Sequence, residues 1–279
     1  VVSTAGALAD GAPLVHEGVL GNLCYDWAMG DEDATEAAFA AAAHTVSLDL
    51  INNRVVANPM ETRGVLASFE EGRLQVAMNG QGPWGVKKEL ATRLRVDPES
   101  VRVTHPDVGG GFGMKTHPYP EHIVAAYAAM KLGRPVKWVS ERGEGIASDA
   151  MGRDHVTCAE AAFDADYKLT AVRFRSVAAM GAYLSPYGAL IPSVLVSKVL
   201  TGVYDVQTYF FGVKGTFTNT TPTDAYRGAG RPEAIYAIER LMDYAARALR
   251  QDPLALRRKN FIREFPYVSA TGEKYDVGD

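Results

Sequence analysis

A cluster of glycines follows a short extended segment and is the first place in the sequence where backbone chemistry is indicated. Four glycines lie between residues 109 and 113, and Lys115 follows them. Because glycine adopts positive φ angles and has no Cβ, such a cluster lets backbone N–H groups approach an anion or a cofactor closely. The cluster therefore predicts either a binding loop or a tight glycine-rich turn.

Two nucleotide-binding motifs are similar to this cluster, but Met114 departs from both. The phosphate-binding pattern Gly-x-x-x-x-Gly-Lys-[Ser/Thr] and the dinucleotide pattern Gly-x-Gly-x-x-Gly each need a glycine at that position. Pro118 and Pro120 also prevent a helix from starting directly after Lys115. A phosphate- or nucleotide-binding module and a simple turn therefore both stay open from the pattern alone.

A second candidate is the segment AYRGAGRPE at residues 225–233, which precedes the longest predicted helix. Arg227 and Arg231 close to a helix N-terminus suit a phosphate or a carboxylate ligand. The alternative is a loop whose arginines pair with Glu233 or Glu239. The sequence pattern does not separate these two interpretations.

Three further positions carry side chains that could do chemistry. Gln81 lies in the polar loop NGQGP, where its amide can donate and accept hydrogen bonds. Glu144 could act as a general base, although a glutamate in the charged loop ERGE is more typical of an exposed ion pair. His117 and His122 are five residues apart across two prolines, and this spacing indicates no metal site.

Helix and strand patterns follow one another along the chain and must position these side chains. Helical spacing is predicted over residues 31–44, 86–94, 123–130 and 234–249 and from 252 onward, and extended segments over 46–50, 64–69, 73–78, 101–103, 136–139, 155–163, 169–177 and 206–218. The pattern indicates an α+β fold with an internal boundary near residues 142–154.

Composition limits the class of protein further. The 279 residues are 47% hydrophobic and 22% charged, which is typical of an ordinary globular protein. The net charge of −4, with no basic cluster, predicts no nucleic-acid partner, and the lack of an 18-residue apolar run predicts no membrane span. Cys24 and Cys158 are far apart, so any iron–sulfur cluster would belong to another chain.

Seven segments, in order, resemble signatures of one family, the molybdopterin-binding large subunits of xanthine dehydrogenase, aldehyde oxidase and carbon monoxide dehydrogenase. They are NPMETR at 58–63, Gln81, PDVGGGFGMK at 106–115, PVKW at 135–138, and the segments 225–233, 252–262 and 272–279. The resemblance begins near Glu17 and continues to the end of the sequence. Several separate motifs in the right order are more specific than one glycine loop.

The resemblance implies the first molybdopterin-binding domain of a molybdenum hydroxylase large subunit, with mixed sheets and packed helices. In that family a glutamine hydrogen-bonds an oxygen ligand of molybdenum, a glycine loop contacts the cofactor beside the metal, and an arginine holds the pterin or lines the substrate side. The matching residues are Gln81 for the glutamine, Gly110, Gly111, Phe112 and Gly113 for the loop, and Arg227 for the arginine. No direct protein ligand to the metal is implied.

The resemblance also implies an activity and partners. The family hydroxylates an aldehyde or an N-heteroaromatic C–H bond with oxygen from water. The implied cofactor is molybdopterin cytosine dinucleotide with molybdenum. The 2Fe-2S clusters and FAD would belong to an iron–sulfur small subunit and an FAD-binding medium subunit, in a dimer of heterotrimers in the cytoplasm.

Three departures from the family narrow these expectations. Thr116 stands where purine-oxidising members have a glutamate, and Gly228 stands where carbon monoxide oxidisers have a copper-binding cysteine. The base glutamate of the family is expected beyond residue 279, so no catalytic residue is predicted in this chain. We expect residues 1–16 to be a remnant of a preceding domain or a linker, residues 17–279 to be the first cofactor-binding domain, and the second domain to be missing. A non-catalytic fragment is the remaining alternative.

Overall fold

The computed structural model describes residues 1–278 and divides the chain into two compact units. Unit 2 consists of Val56–Gly152 and Asp224–Arg227, and unit 1 contains the other described residues. The chain therefore passes between the units four times. Asp279, the last residue of the family-like segment 272–279, lies outside the described residues.

The helices and strands have the following bounds. The helices are α1 (Glu32–Ala41), α2 (Pro83–Leu94), α3 (Pro120–Leu132), α4 (Arg142–Ser148), α5 (Arg231–Ala248) and α6 (Pro253–Asn260). The strands are β1 (Leu23–Gly30), β2 (His44–Asn52), β3 (Val55–Val56), β4 (Gly64–Glu70), β5 (Arg73–Met78), β6 (Val101–Thr104), β7 (Val136–Val139), β8 (Met151–Gly152), β9 (His155–Phe163), β10 (Leu169–Gly181), β11 (Thr208–Phe217), β12 (Tyr267–Val268) and β13 (Lys274–Tyr275).

Unit 1 is built on a five-stranded sheet in the order β1-β11-β10-β9-β2. The β10 and β11 pair is parallel and the other pairs are antiparallel. Alternate residues of a strand point to opposite faces, and on β9 and β10 one face is apolar, with Ala159 and Phe174 in the core beside Ile238 of α5. On the opposite face Arg173 pairs with Glu160 and with Glu36 of α1. The sheet is thus covered by a helix on each side.

Unit 2 is built on a four-stranded sheet in the order β6-β5-β4-β7. Its buried core joins Val76 and other inward residues of the hairpin β4–β5 to Leu90 of α2 and Ala126 of α3. The β5 and β6 pair is parallel. Because parallel neighbours end at the same edge of a sheet, the segment after β5 and the segment after β6 begin side by side. These two segments carry Gln81 and the glycine cluster.

The structure confirms the α+β class and most of the predicted elements. The β4–β5 hairpin, α5 and α6 lie where the patterns predicted them. The strand β1 was not predicted, and residues 142–148 form the helix α4 where a charged loop was expected. One passage between the units falls between Gly152 and Arg153, inside the expected range 142–154, but the other three show that the units interleave along the chain.

Residues 1–16 belong to unit 1 in the structure, where Thr4 donates to Asp154 at 2.6 Å. Within residues 1–278, no helix has the length and apolar character needed to cross a membrane.

Candidate functional site

The structure brings Gln81 and the glycine cluster into direct contact at the edge of the unit 2 sheet. The Oε1 atom of Gln81 accepts hydrogen bonds from the backbone N–H groups of Gly113 at 2.9 Å and Lys115 at 3.3 Å. The backbone N–H of Gln81 donates to the Lys115 carbonyl at 3.0 Å. These donors fix the orientation of the amide, since only its oxygen can accept from them. The Nε2 group of Gln81 is therefore the end that remains to donate to a ligand.

Close packing explains two of the glycines. A Cβ on Gly111 would lie 2.3 Å from Oε1 of Gln81, and a Cβ on Gly113 would lie 2.4 Å from the carbonyl oxygen of Ala225. Gly113 also has a φ of 109°, whereas Gly111 has no positive φ. The glycines thus bring the loop against other parts of the protein, in addition to any approach to a ligand.

A buried lysine ties the loop to the segment 58–63. The side chain of Lys115 is 1% exposed, and its Nζ donates to the carbonyl of Glu61 at 2.9 Å and to its carboxylate at 3.0 Å. The same carboxylate accepts from the N–H of Gly109 at 2.8 Å. Burial acts to raise the pKa of Glu61, but the hydrogen bonds from Lys115 and Gly109 outweigh it and lower that pKa. The carboxylate stays ionised and holds both ends of the loop.

A buried arginine, Arg63, anchors the end of the segment 58–63 through ion pairs and a ring contact. The Arg63 guanidinium donates to Asp149 at 2.6 Å and to Glu121 at 2.9 Å, and lies 3.9 Å from the ring centroid of Tyr119. The Tyr119 hydroxyl in turn donates to the carbonyl of Met114 at 2.7 Å.

Sequence reasoning assigned no role to the three charged residues Glu61, Arg63 and Lys115. A charged residue carries no sequence signal that it is buried, and both Arg63 and Lys115 are almost fully buried. Their places inside two family-like motifs were the only available sign.

Arg227 reaches the same loop on a short separate stretch, residues 224–227, which we call the Arg227 segment. The N–H of Arg227 donates to the carbonyl of Phe112 at 2.9 Å. The N–H of Asp224 donates to the carbonyl of Met151 at 2.7 Å, and Tyr226 packs on Gly152 where a Cβ would lie 2.4 Å away. The structure therefore brings together all six residues predicted for cofactor binding.

The part of the loop nearest Phe112 presents unused donors. Within residues 1–278, the N–H groups of Gly110, Gly111 and Phe112 donate to no other backbone or side-chain group. Gly110 and Phe112 have φ angles of 94° and 53°, so the backbone turns sharply on both sides of Gly111. The Phe112 ring is 43% exposed. Adjacent amides in such turns form a concave site for acceptor atoms.

The other carboxylates considered from the sequence, Glu144, Glu233 and Glu239, make contacts outside the glycine loop. Glu144 lies in the first turn of α4, where its side chain accepts from the N–H of Glu141 at 3.3 Å, so it forms a helix cap rather than the expected ion pair. Glu233 pairs with Arg153, and Glu239 pairs with Arg257, so both carboxylates that the alternative interpretation invoked have ion-pair partners outside segment 225–233.

The geometry also argues against a nucleotide loop. The Nζ of Lys115 is buried on Glu61, and α3 begins five residues after Lys115. A phosphate-binding loop needs a free lysine and a helix that starts at the loop. Neither requirement is met here.

Comparisons with known proteins agree with the motifs. Residues 15–261 match the family model described as the molybdopterin cofactor-binding domain. The chain is 36% identical to the carbon monoxide dehydrogenase large chain of Hydrogenophaga pseudoflava, covering 100% of this chain and 37% of that protein. It is 35% identical to the nicotine 6-hydroxylase large subunit of Paenarthrobacter nicotinovorans, covering 98% and 33%.

A solved structure is similar over the same extent. The crystal structure of quinoline 2-oxidoreductase from Pseudomonas putida 86 matches with a TM-score of 0.91 and 32% identity, covering 99% of this chain and 36% of that chain. The chain thus spans about a third of the length of the relatives it matches. With the family model matched over residues 15–261 and the predicted site residues assembled around one loop, the chain belongs to the molybdopterin cofactor-binding domain family.

Proposed function

We propose that the glycine loop, Gln81 and Arg227 hold the molybdenum end of the cofactor. The observation that carries this proposal is the row of unused donors, namely the N–H groups of Gly110, Gly111 and Phe112, beside the Nε2 group of Gln81. Oxygen ligands and the pterin ring offer acceptor atoms that suit such donors. The residues present therefore fit the group that the family binds.

Each residue has a separate task in this proposal. Gln81 donates from Nε2 while its Oε1 keeps the loop in place. Phe112 presents an exposed aromatic face next to the site. Lys115 and Glu61 keep the loop rigid, which lowers the conformational entropy lost on binding. When bound, the cofactor supplies the two-electron oxidation and the transfer of an oxygen atom from water.

We infer that the whole protein hydroxylates an N-heteroaromatic or aldehyde C–H bond, with the base supplied by a residue beyond position 279. Two relatives bear names of enzymes that act on nicotine and quinoline, which are N-heteroaromatic compounds. The hydroxyl of Thr116 donates to the carbonyl of Gly113 at 2.9 Å, so this side chain serves the loop and cannot replace a carboxylate. This favours a substrate other than a purine.

A carbon monoxide substrate is disfavoured by Gly228. This residue has a φ of 94°, and a Cβ there would lie 2.7 Å from Pro232 Cγ. A copper-binding cysteine would need both a different backbone and more space. We therefore expect no copper in the protein, although a carbon monoxide dehydrogenase chain is among its relatives.

We also propose which form of the cofactor is bound and which subunits accompany this chain. We place the cofactor in its cytosine dinucleotide form and the 2Fe-2S clusters and FAD on two partner subunits, in a cytoplasmic dimer of heterotrimers. Support comes from relatives that are named as large chains or subunits of complexes. Acid hydrolysis of the purified protein should release cytidine monophosphate if the dinucleotide form is bound.

The substitution Gln81→Glu tests the donor role directly. Glutamate keeps an oxygen for Gly113 and Lys115 but cannot donate, so the fold should survive while the affinity for the cofactor falls about tenfold, the effect of losing one hydrogen bond to a charged group. Molybdenum and released pterin are measured in the full-length protein after extensive dilution. Gln75→Glu is the matched control, because Gln75 is exposed on β5 away from the loop. Equal molybdenum retention in the two variants would overturn the assignment.

A further inference from the structure

The strand β6 lies at one end of the unit 2 sheet and leaves an open edge. It pairs with β5 on one side, and within residues 1–278 no strand pairs with its other side. The backbone groups of residues 102–104 that face away from β5 make no backbone hydrogen bond to another described segment. An edge of this kind can accept a strand from another chain. We call this side of Val101–Thr104 the β6 edge.

A groove lies along β6 on each face of the sheet. The first covers the face opposite the helices, runs from Leu66 to Arg102 and Thr104, and has a volume of about 300 Å³. The second lies between β6 and Trp84 of α2, is lined by Val103, and has a volume of about 370 Å³. Because the side chains of a strand alternate between the two faces of its sheet, an added strand would place one set of side chains in each groove.

The charges beside the β6 edge are positive. Arg73, Lys87 and Arg102 line the grooves, and no described lining residue is an Asp or a Glu. Lys87 is paired with Glu99 at 3.2 Å. Arg73 and Arg102 are exposed, and within residues 1–278 they have no carboxylate partner. An occupant with acidic side chains would supply the partners that these two arginines lack.

An exposed tryptophan borders the second groove. Trp84 lies in the first turn of α2 and is 80% exposed. The Nζ of Lys87 lies 5.9 Å from the centroid of its ring. Tryptophan is enriched among the residues that contribute most to protein–protein binding, because its large apolar surface is removed from water there. The ring therefore offers a surface that an apolar side chain of the occupant can cover.

We propose that the β6 edge binds an extended acidic segment of another subunit, which joins the unit 2 sheet as a fifth strand. The main chain of the segment pairs with the open edge, and its side chains enter the two grooves. Arg73 and Arg102 select Asp or Glu there, and Trp84 contacts an apolar side chain. The source of the segment rests on the proposed function, which places this chain in a complex. The surface shares no residue with the proposed cofactor site.

A photochemical cross-link in the assembled complex tests the occupant. With p-benzoylphenylalanine in place of Trp84, irradiation and peptide mapping by mass spectrometry should join position 84 to a segment of another subunit that contains several Asp or Glu residues. The control places the same group at Tyr127, which is 52% exposed on α3, a helix that packs on β4 and β7. The control should not join the same segment.

Charge reversal in the same complex tests the recognition of acidic side chains. In the double variant Arg73→Glu, Arg102→Glu, the amide-exchange protection of residues 101–104 should fall about tenfold, the combined effect of two exposed ion pairs. Arg134→Glu is the matched control, because Arg134 is an exposed arginine in the loop before β7, at the opposite end of the sheet. It should leave the protection of residues 101–104 unchanged.

The outcomes separate the docking site from the proposed function. A cross-link from position 84 only within the same polypeptide, none at all, or one to a segment without acidic residues would overturn the docking site. Equal protection in the parent and the double variant would also overturn it, and would indicate that the arginines only protect the edge from aggregation. A cross-linked complex without molybdenum would overturn the proposed function alone, and a complex with molybdenum but no cross-link would overturn the docking site alone.

Discussion

Gln81 and the glycines opposite it fit each other at the level of single atoms. A Cβ at position 111 would come within 2.3 Å of Oε1 of Gln81, which leaves no room for any residue but glycine unless the glutamine moves. Since that glutamine also bonds the N–H groups of Gly113 and Lys115, its displacement would disturb the whole loop. One side chain thus determines the loop geometry and, in the proposed function, also supplies a donor to the cofactor.

The substitution Gly111→Val should therefore lower the molybdenum content of the assembled protein. The cause is steric exclusion of Gln81 rather than backbone strain, because Gly111 has no positive φ. Elemental analysis measures the molybdenum content of the variant, and a thermal unfolding curve measures its stability. Gly85→Ala is the control, since Gly85 lies in α2 with nothing within 4 Å of a Cβ, and it should raise stability by about 0.5–1 kcal/mol. Unchanged metal content in Gly111→Val would contradict the prediction.

The sequence predicted the residues of the proposed cofactor site but not the buried charged residues that support them. Gln81, the glycines and Arg227 were recognised because they stand in ordered motifs of a known family. Arg63 and Lys115 are almost fully buried ion-pair partners. Burial of a charge depends on which segments meet in three dimensions, and composition or periodicity along one segment does not report it.

At the scale of elements, α3 carries a histidine that makes the stability of unit 2 depend on pH. Burial and the nearby Arg63 lower the pKa of His122 from an ordinary 6.5 to about 4. The unfolded chain therefore takes up a proton between these values that the folded chain does not. The free energy of unfolding should fall by roughly 3 kcal/mol as the pH drops from 7 to 4 through this group alone.

Denaturant unfolding at a series of pH values checks this expectation. His122→Asn keeps an acceptor near the N–H of Tyr119, which now donates to Nδ1 at 3.0 Å, but removes the titrating group. The variant should show a shallower loss of stability in acid. Some loss remains, because burial also lowers the pKa values of His105, His117 and His155. An identical slope in the parent and the variant would refute the role of His122.

Physical features of β1 and α4 explain why the sequence patterns did not predict these two elements. β1 is an edge strand with no fully buried residue, and Tyr25, Trp27 and Met29, which alternate along it, are only partly buried against the core of unit 1. Two glycines in α4 lower its helix propensity, and a capping box between Glu141 and Glu144 offsets that cost. In α3 the buried face consists mainly of Ala125, Ala126 and Ala129, whereas Tyr127, which helped to predict the helix, is 52% exposed.

At the scale of the whole molecule, the chain is expected to be inactive by itself. The base that the family uses is expected beyond residue 279, and a base must lie within about 2.6–3.2 Å of the proton it removes. The two cysteines are free thiols and cannot hold an iron–sulfur relay. Substrate-dependent dye reduction by the purified chain, compared with that of the assembled complex, measures the activity of the chain alone. Turnover by the purified chain with molybdenum bound and no other subunit would contradict it.

The interleaving of the two units has a consequence for synthesis on the ribosome. The four-stranded sheet of unit 2 can form as soon as residues 56–152 have emerged, because all its strands lie within that stretch. β2 must wait for β9, and β1 must wait for β11, so unit 1 keeps unpaired strands for much longer. The Arg227 segment emerges after both. The glycine loop and Gln81 are therefore expected to be in place before Arg227 arrives, which gives a nascent chain a partly open site at the stage when a cofactor can still enter.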